Sequence, residues 1–450
     1  MRRESAQPGQ SPLPHRETSP APAAVATPAG SRPATRAERL LLQRLHQLAG
    51  TPPVRLRLWD DFAVGPPAAR FTLLLRDRRA LYELLRHPNI GFGELYSSGR
   101  LEVHGDLTEL LVELYRHIGR MRGAWPGWIT ALWRDPPRDG AGLDDARYNI
   151  HRHYDLGNAF YRRWLDTAAM QYTCAYFERR ELSLEQAQLA KLEHVCRKLR
   201  LQPGQQVFEA GCGWGGLARY MARHYGVRVR AWNISREQVS WARAEAAREG
   251  LQDRVEYVED DYRNIEGRCD AFVSVGMLEH VGPANYGALA EAIDRSLAPG
   301  GLGLIHTIGR NRPQAVNGWI EKRIFPGTHV PSITELMQLF EAGGLSVLDV
   351  ENLRLHYAET LRHWQSRYLA ARDAVRADYD AEFARAWTLY LAGARAAFLA
   401  GTLQLFQVVF APGESNRVPA TRRDLYASAA APPATERAGG KGRSVEPMDA

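Results

Sequence analysis

Residues 205–216 read QQVFEAGCGWGG, an apolar run that passes straight into a glycine-rich turn. Val207 and Phe208 suit a buried strand, and Leu217–Tyr225 continues as a helix, so the segment reads as strand, turn, helix. In the turn, Gly211 and Gly213 carry no Cβ, which lets a ligand approach the backbone closely. The spacing is GxGxG, not the dinucleotide GxGxxG, and no Gly-Lys-Ser/Thr follows to hold a nucleotide phosphate. Glu209, just ahead of the turn, suits a ligand carrying an ammonium group. S-adenosylmethionine, with amino-acid, ribose and adenine parts, matches these features better than a pyrophosphate cofactor.

The alternation continues on the C-terminal side. VRVRAWNIS (227–235) reads as a second strand, SREQVSWARAEAAREG (235–250) as a helix and RVEYVEDDY (254–262) as a third strand. CDAFVSVGMLEHVG (269–282) is a fourth strand and its loop, NYGALAEAIDRSLAPGG (285–301) a helix ending in Pro-Gly-Gly, and LGLIHTIG (302–309) a fifth strand. Strands alternating with helices over 146–412 predict an α/β domain with a doubly wound, mainly parallel sheet whose ligands sit at the strand carboxyl ends. That places Glu209–Gly216, Asn233–Ser235, Asp260–Tyr262, Glu279–His280 and His306–Ile308 along one rim. Asn233 stands where a ribose-binding acid is usual and still offers hydrogen bonds to a ribose or methionyl group. Ser235 and Gln238 form S-x-x-Q, a capping box, so Gln238 is either a cap or a cofactor contact. Asp260 or Asp261 suits an adenine amino group. Glu279, His280 and His306 bring an acid and two imidazoles to the cofactor edge, a set fitted to acid–base or anion-holding work.

The rest of the chain frames this domain. Residues 1–35 and 413–450, rich in Pro, Ala, Ser and Thr, read as disordered tails, and 124–145 (AWPGWITALWRDPPRDGAGLDD) as a linker. Residues 36–123 form a small α+β module. They predict a helix at Arg36–Leu48, strands near Val54–Trp59 and Phe71–Leu75, and a helix RALYELLRH closed by Pro88. A turn-rich stretch Asn89–Val103 and a helix over Leu107–Ile118 complete it. A hydrophobic share of 45% in 450 residues excludes a wholly disordered or collagen-like chain. Four cysteines with no CxxC pair argue against a disulfide framework or a structural zinc, so no metal is expected and a reducing cytoplasm is the default. No apolar h-region follows the N-terminal MRRES, and no run of 18 apolar residues occurs. Thr388–Ala411, interrupted by Arg395, Gln404 and Gln407, reads as a buried helix followed by a strand. The net charge is +7, and arginine supplies 54 of the 58 basic residues. Residues 36–125 hold 14 arginines against 10 acidic residues, a surplus suited to an anionic lipid surface. No basic stripe with stacking aromatics accompanies it, so nucleic acid is not expected.

Ten segments, in order from Tyr148 to Phe410, carry a resemblance: YNIHRHYDLGNAFYRRWLD, MQYTCAYF, EAGCGWGGLARYMA, NISREQ, DYRN, VSVGMLEHVGPANY, HTIG, WIEKRIFPGTHVPS, HYAETLRHW and LQLFQVVF. Together they resemble the cyclopropane-fatty-acyl-phospholipid synthases and their relatives, the mycolic acid cyclopropane synthases. NIGFGELYSSG in the first module is similar to that family's N-terminal lipid-binding module. The chain departs from the pattern at Asn233, where Thr or Ser is usual, at the bulky Trp232 before it, and at GRLEV after GFGE. The resemblance implies a class I (Rossmann-like) methyltransferase fold. It implies transfer of the S-adenosyl-L-methionine methyl to the cis double bond of an unsaturated phospholipid acyl chain, with proton loss to a bound bicarbonate and closure of a cyclopropane ring. By motif, the anion site would use Cys174, Glu279, His306, the Ile308 backbone and Tyr357; cofactor contacts would come from Tyr154, Gly211, Gly213, Asn233, Gln238 and Asp260. Membrane phospholipids are the implied partner, at the inner face of the membrane, and a homodimer is compatible with the sequence. Alternatives on the same fold are acyl-chain methylation giving methylene- or methyl-branched products, and methylation of a small molecule. A catalytically dead lipid-binding scaffold would predict decay of the glycine turn or of Glu279, and neither has decayed.

Overall fold

The computed structural model describes residues 32–121, 156–416 and 421–426. Most of both expected tails, the linker 124–145 and Tyr154 lie outside the described residues.

The first unit opens with α1 (Arg36–Leu48), started by a capping box between Thr35 and Glu38. It continues through β1 (Arg55–Arg57), β2 (Ala63–Val64), β3 (Thr72–Leu75), α2 (Arg78–Arg86), α3 (Pro88–Ser97), β4 (Leu101–His104) and α4 (Leu107–Met121). The four strands form one mixed sheet in the order β2-β1-β3-β4. The stretch expected to be turn-rich is largely the helix α3. The helix α2 does end ahead of Pro88, as expected, and Pro88 itself starts a new helix at the first-turn position, where its missing N–H is no loss. Gly93, which suggested a turn, answers a close approach instead, since a Cβ at that position would collide with the Trp319 indole.

The second unit begins with the helical turn Asn158–Tyr161 and α5 (Leu184–Leu199). It continues with β5 (Gln206–Ala210), α6 (Gly216–Tyr225), β6 (Arg228–Asn233), α7 (Arg236–Arg248), β7 (Val255–Glu259), β8 (Cys269–Val275), α8 (Tyr286–Ser296) and β9 (Leu297–Gly309). Next come α9 (Gly318–Arg323), α10 (Ile333–Ala342), β10 (Leu345–Asn352), the long helices α11 (Arg354–Asp378) and α12 (Ala381–Ala400), and β11 (Gln404–Pro412). The helix α8 ends at Ser296, and Pro299-Gly300-Gly301 falls inside β9, beside a register shift where β8 passes from Cys269 to Ala271. The seven strands stand in the order β10-β11-β9-β8-β5-β6-β7. Neighbours from β9 to β7 are parallel, whereas β11 runs antiparallel to both β9 and β10.

Alternate residues feed two cores. Val207, Val273, Leu304 and Val409 pack with α5, α6 and α7 on one face. Phe208, Phe272, Ile305 and Phe410 pack with α8 and α10 on the other. A third, aromatic-rich core lies between α11, α12 and the segment 160–177, and it takes Leu111 and Val112 of α4 into the same cluster as Trp387 and Leu391. The first unit is therefore seated on α12. Glu94 pairs with Lys322 at 3.1 Å and with Arg323, and Arg385 Nε donates to the Ser97 carbonyl at 2.9 Å. All four cysteines are buried and free. No described helix is long and apolar enough to cross a membrane.

Candidate active site

The sheet changes direction at β5. The chain leaves it towards β6 and β7 on one side and returns to β8 and β9 on the other, which opens a crevice at the strand carboxyl ends. A cleft lies there, lined by Gly211, Trp232, Asn233, Asp260, Tyr262, Met277 and His280 among others. The glycine turn hangs from β6, because the Gly211 and Cys212 amides both donate to the Trp232 carbonyl, at 2.9 and 3.1 Å. Gly211 has φ +82°, and a Cβ on it would stand 2.8 Å from Met277 Cβ. Only glycine leaves this wall of the cleft open.

Asn233 lines the cleft while its amide braces the turn. Its Nδ2 donates to the Gly213 carbonyl at 3.3 Å and to Gln238 Oε1 at 2.8 Å. Gln238 is buried and stands outside the cleft lining. Its backbone N–H is capped by Ser235, but its side chain turns to Asn233, so the box expected from S-x-x-Q is only half made. Asp260 lines the cleft, with Oδ1 accepting from the Asp261 amide at 2.7 Å and from Asn264 Nδ2 at 2.9 Å. Asp261 is spent on a two-pronged pair with Arg263. Glu209 lies beneath the turn and outside the cleft lining, facing Lys191 and Arg219. Burial pushes its carboxyl up to about 7 against those two cations.

Consecutive residues at the end of β8 face two ways. His280 lines the cleft, and burial holds its ring down at about 4, so it stands there as a neutral imidazole. Glu279 points instead at β9. Pairing of β8 with β9 ends at Val275 and His306, which leaves the Ile308 amide beyond the ladder, and it donates to Glu279 Oε1 at 2.6 Å. The Ile308 backbone, expected to hold the anion itself, thus orients the acid. Glu279 is 7% exposed, and burial pushes its carboxyl up to about 7 despite the Ile308 hydrogen bond. Near neutrality it carries a proton for a large part of the time. Its Oε2 is buried without a protein partner among the described residues, and so is Nε2 of His306, which is 1% exposed. Two such atoms are costly, about 1–3 kcal/mol each, unless water or a ligand satisfies them.

Cys174 and Tyr357 meet at the start of α11. Cys174 is fully buried, its Sγ 4.0 Å from the Leu353 carbonyl, and burial pushes its thiol far up, so it stays S–H. The Tyr357 ring packs against Phe398 at 4.6 Å and edge-on to Trp364 at 5.9 Å. The Leu353 amide donates to the Leu405 carbonyl at 2.8 Å, and Leu405 lies opposite Ile308 across the β9–β11 ladder. Backbone contacts thus tie the Cys174–Tyr357 pair to the strand that carries His306.

With this geometry in hand, comparison with known proteins places the chain. The family model described as mycolic acid cyclopropane synthetase matches residues 143–408. The chain belongs to that family. It is 37% identical over 402 residues, 86% of this chain and 98% of the other, to a probable fatty acid methyltransferase of Pseudomonas putida. It is 44% identical over 265 residues, 59% of this chain and 68% of the other, to the cyclopropane-fatty-acyl-phospholipid synthase of Escherichia coli strain K12. Among solved structures, the mycolic acid cyclopropane synthase CmaA1 complexed with SAH and CTAB superposes with a TM-score of 0.56 at 30% identity, covering 59% of this chain and 97% of that one. The fold is that of the class I S-adenosylmethionine-dependent methyltransferases, and membership of this family makes the chain an S-adenosylmethionine-dependent methyltransferase acting on lipid acyl chains.

The cleft at the carboxyl ends of β5 and β8 gathers several of the residues expected to bind S-adenosylmethionine. Of the residues expected to bind it, Gly211, Asn233 and Asp260 line the cleft, while Gly213 and Gln238 act through Asn233. Tyr262, placed on the rim from the sequence, lines the cleft too, as do Met277 and Asn285, which were not singled out because an isolated Met or Asn after a strand carries no distinguishing pattern. Gln407 was noted only as an interruption of an apolar run. It is fully buried, and its Nε2 lies 3.0 Å from His306 Nδ1.

Proposed function

We propose that this chain is a cyclopropane-fatty-acyl-phospholipid synthase that uses bound bicarbonate as its base. The reaction breaks the S–CH3 bond of S-adenosylmethionine and forms a C–C bond to one carbon of a cis alkene, leaving a carbocation on the other. Loss of a proton from the new methyl then lets the ring close. The observation that carries the reading is that Glu279 Oε2 and His306 Nε2, at the carboxyl ends of the adjacent strands β8 and β9, are both buried without a hydrogen-bond partner among the described residues. With Oε1 accepting from Ile308, a neutral Glu279 keeps its proton on Oε2 as a donor. A neutral His306 offers one N–H. Two buried donors of this kind suit a small anion, and bicarbonate held by them would supply a base without a strong nucleophile.

The residues assigned to the anion site by the resemblance, and the aromatic rings around Tyr357, offer little that would trap a cation. The Cys174 thiol stays protonated, the His280 imidazole belongs to the neighbouring cleft, and Tyr357, Trp364 and Phe398 present ring edges and faces. Aromatic faces stabilise a positive centre by on the order of 1–2 kcal/mol each when dry. The module 36–123 would dock the enzyme on anionic phospholipid through its arginine surplus. A second reading, methylation without ring closure, is favoured by the match along nearly the whole chain to a probable fatty acid methyltransferase.

The deciding experiment incubates the protein with unsaturated phospholipid vesicles and S-adenosylmethionine carrying a 13C-methyl group. Cyclopropane and methylene-branched chains share a mass, so NMR of the extracted lipid must locate the label. Ring-methylene signals are expected, and olefinic methylene signals in their place would establish the second reading.

A further inference from the structure

Across three strands, His306 on β9, Gln407 on β11 and Glu351 on β10 are direct neighbours in register. Lys198 reaches down from α5 onto this row. Its Nζ lies 2.7 Å from Gln407 Oε1 and 2.6 Å from Glu351 Oε2, and it is 1% exposed. At the far end, His194 Nε2 lies 2.8 Å from the same Glu351 oxygen, with its ring stacked on Tyr176 at 4.3 Å. The chain uses lysine four times against 54 arginines, yet Lys191 and Lys198 are both fully buried beside this site. An arginine fork does not replace a compact ammonium that must serve two acceptors in a closed space.

Donor bookkeeping along the row leaves one solution. Burial opposes both ions and pushes the Lys198 ammonium down, but Glu351 counters that, and hydrogen bonds from His194 and Lys198 hold the Glu351 carboxyl down at about 2, so the 2.6 Å contact is read as an ion pair. An ammonium only donates, so the oxygen of the Gln407 amide must face it. The NH2 of Gln407 then faces His306 Nδ1, which must accept. An imidazolium would set two donors against each other there. Burial, together with the cations of Lys191 and Lys198, holds the ring neutral. With its lone pair at Nδ1, a neutral ring carries its proton on Nε2, the atom without a protein partner.

We propose that Lys198, acting through Gln407, locks His306 in the Nε2–H tautomer and so makes it a fixed donor into the anion pocket. Lys198 and Gln407 are positioning residues; neither touches the reacting atoms. The consequence for turnover rests on the bicarbonate reading, but the lock itself does not.

The test is 15N NMR of the full chain with labelled histidine side chains, with His306 assigned by its loss in His306→Gln. Nε2 should be protonated and Nδ1 bare from pH 6 to pH 9. Gln407→Glu keeps an acceptor for Lys198 but presents a carboxylate to the ring, so the proton should move to Nδ1. Turnover on unsaturated vesicles should then fall by roughly 10- to 100-fold, by analogy with the loss of the outer hydrogen-bond partner of a metal-bound histidine, with S-adenosylhomocysteine affinity nearly unchanged. A proton on Nδ1 in the unaltered chain, or an unmoved proton in Gln407→Glu, overturns the lock. If Gln407→Glu does not fold, the spectrum of the unaltered chain decides alone. Turnover indifferent to bicarbonate in CO2-depleted buffer, with the Nε2–H tautomer seen, would reject the bicarbonate reading and support the lock.

Discussion

Glu279 holds its place through one oxygen on the Ile308 amide, and the other oxygen has no protein partner. Folding pushes this carboxyl from 4.5 to about 7, chiefly by burial. Between those values the unfolded chain has released the proton and the folded chain has not, so the unfolded state binds fewer protons and stability falls as pH rises. Below that window the cost is absent; above about 7 it is complete, on the order of 3 kcal/mol. Glu279→Gln keeps an oxygen for Ile308 and does not titrate. Its melting temperature relative to the unaltered protein should therefore climb from pH 4.5 to pH 8. Thermal melts across that range check this, and a constant difference would mean Glu279 ionises in the fold as it does in water. Glu209, also raised to about 7, is common to both proteins and drops out of the comparison.

The glycine turn between β5 and α6 is the element that makes a cofactor cleft out of a strand end. It is hung on the Trp232 carbonyl and braced by Asn233, with Gly211 forming part of the cleft wall beside Met277. Gly211→Ala would put a Cβ at φ +82° and 2.8 Å from Met277 Cβ. The left-handed conformation costs a non-glycine residue about 1–2 kcal/mol, and movement of Met277 into the cleft adds to it. We expect S-adenosylhomocysteine to bind roughly tenfold more weakly or worse, which isothermal titration calorimetry would measure. Affinity within about twofold would mean that the turn tolerates the side chain. This element was legible because glycine spacing after an apolar strand is a local signal. The helix α3 was not, because Gly91 and Gly93 read as turn residues until the packing of Trp319 against Gly93 is known.

At the scale of the whole molecule, the arginine surplus sits on a unit that is fastened to the catalytic domain, not tethered beside it. Glu94, Ser97 and the apolar face of α4 all engage α9 or α12, so excising 36–125 would expose a shared core. Charge reversal is the cleaner test of lipid docking. Arg79 and Arg86 are exposed and seven residues apart on α2, hence on one face. Arg79→Glu with Arg86→Glu should weaken binding to anionic vesicles by roughly tenfold or more at low salt, at about 1 kcal/mol per charge, with little change on neutral vesicles. Cosedimentation measures this, and equal binding by both proteins would mean that these arginines do not dock the lipid surface. The alternation of strand and helix from 205 to 309 was enough to determine the domain class and the rim that carries Asn233, Asp260, Glu279 and His306. Periodicity reports which residues are buried, and burial pattern dictates element type. The partner of each buried polar group is a different matter. Gln407 meets His306 across 101 residues and Lys198 across 209, because β11 slots antiparallel between β9 and β10 in one register. Strand order and register are set by the packing of the entire sheet, so only the tertiary structure decided that Gln238 braces Asn233, that Ile308 holds Glu279, and that a buried lysine is linked to His306 through Gln407.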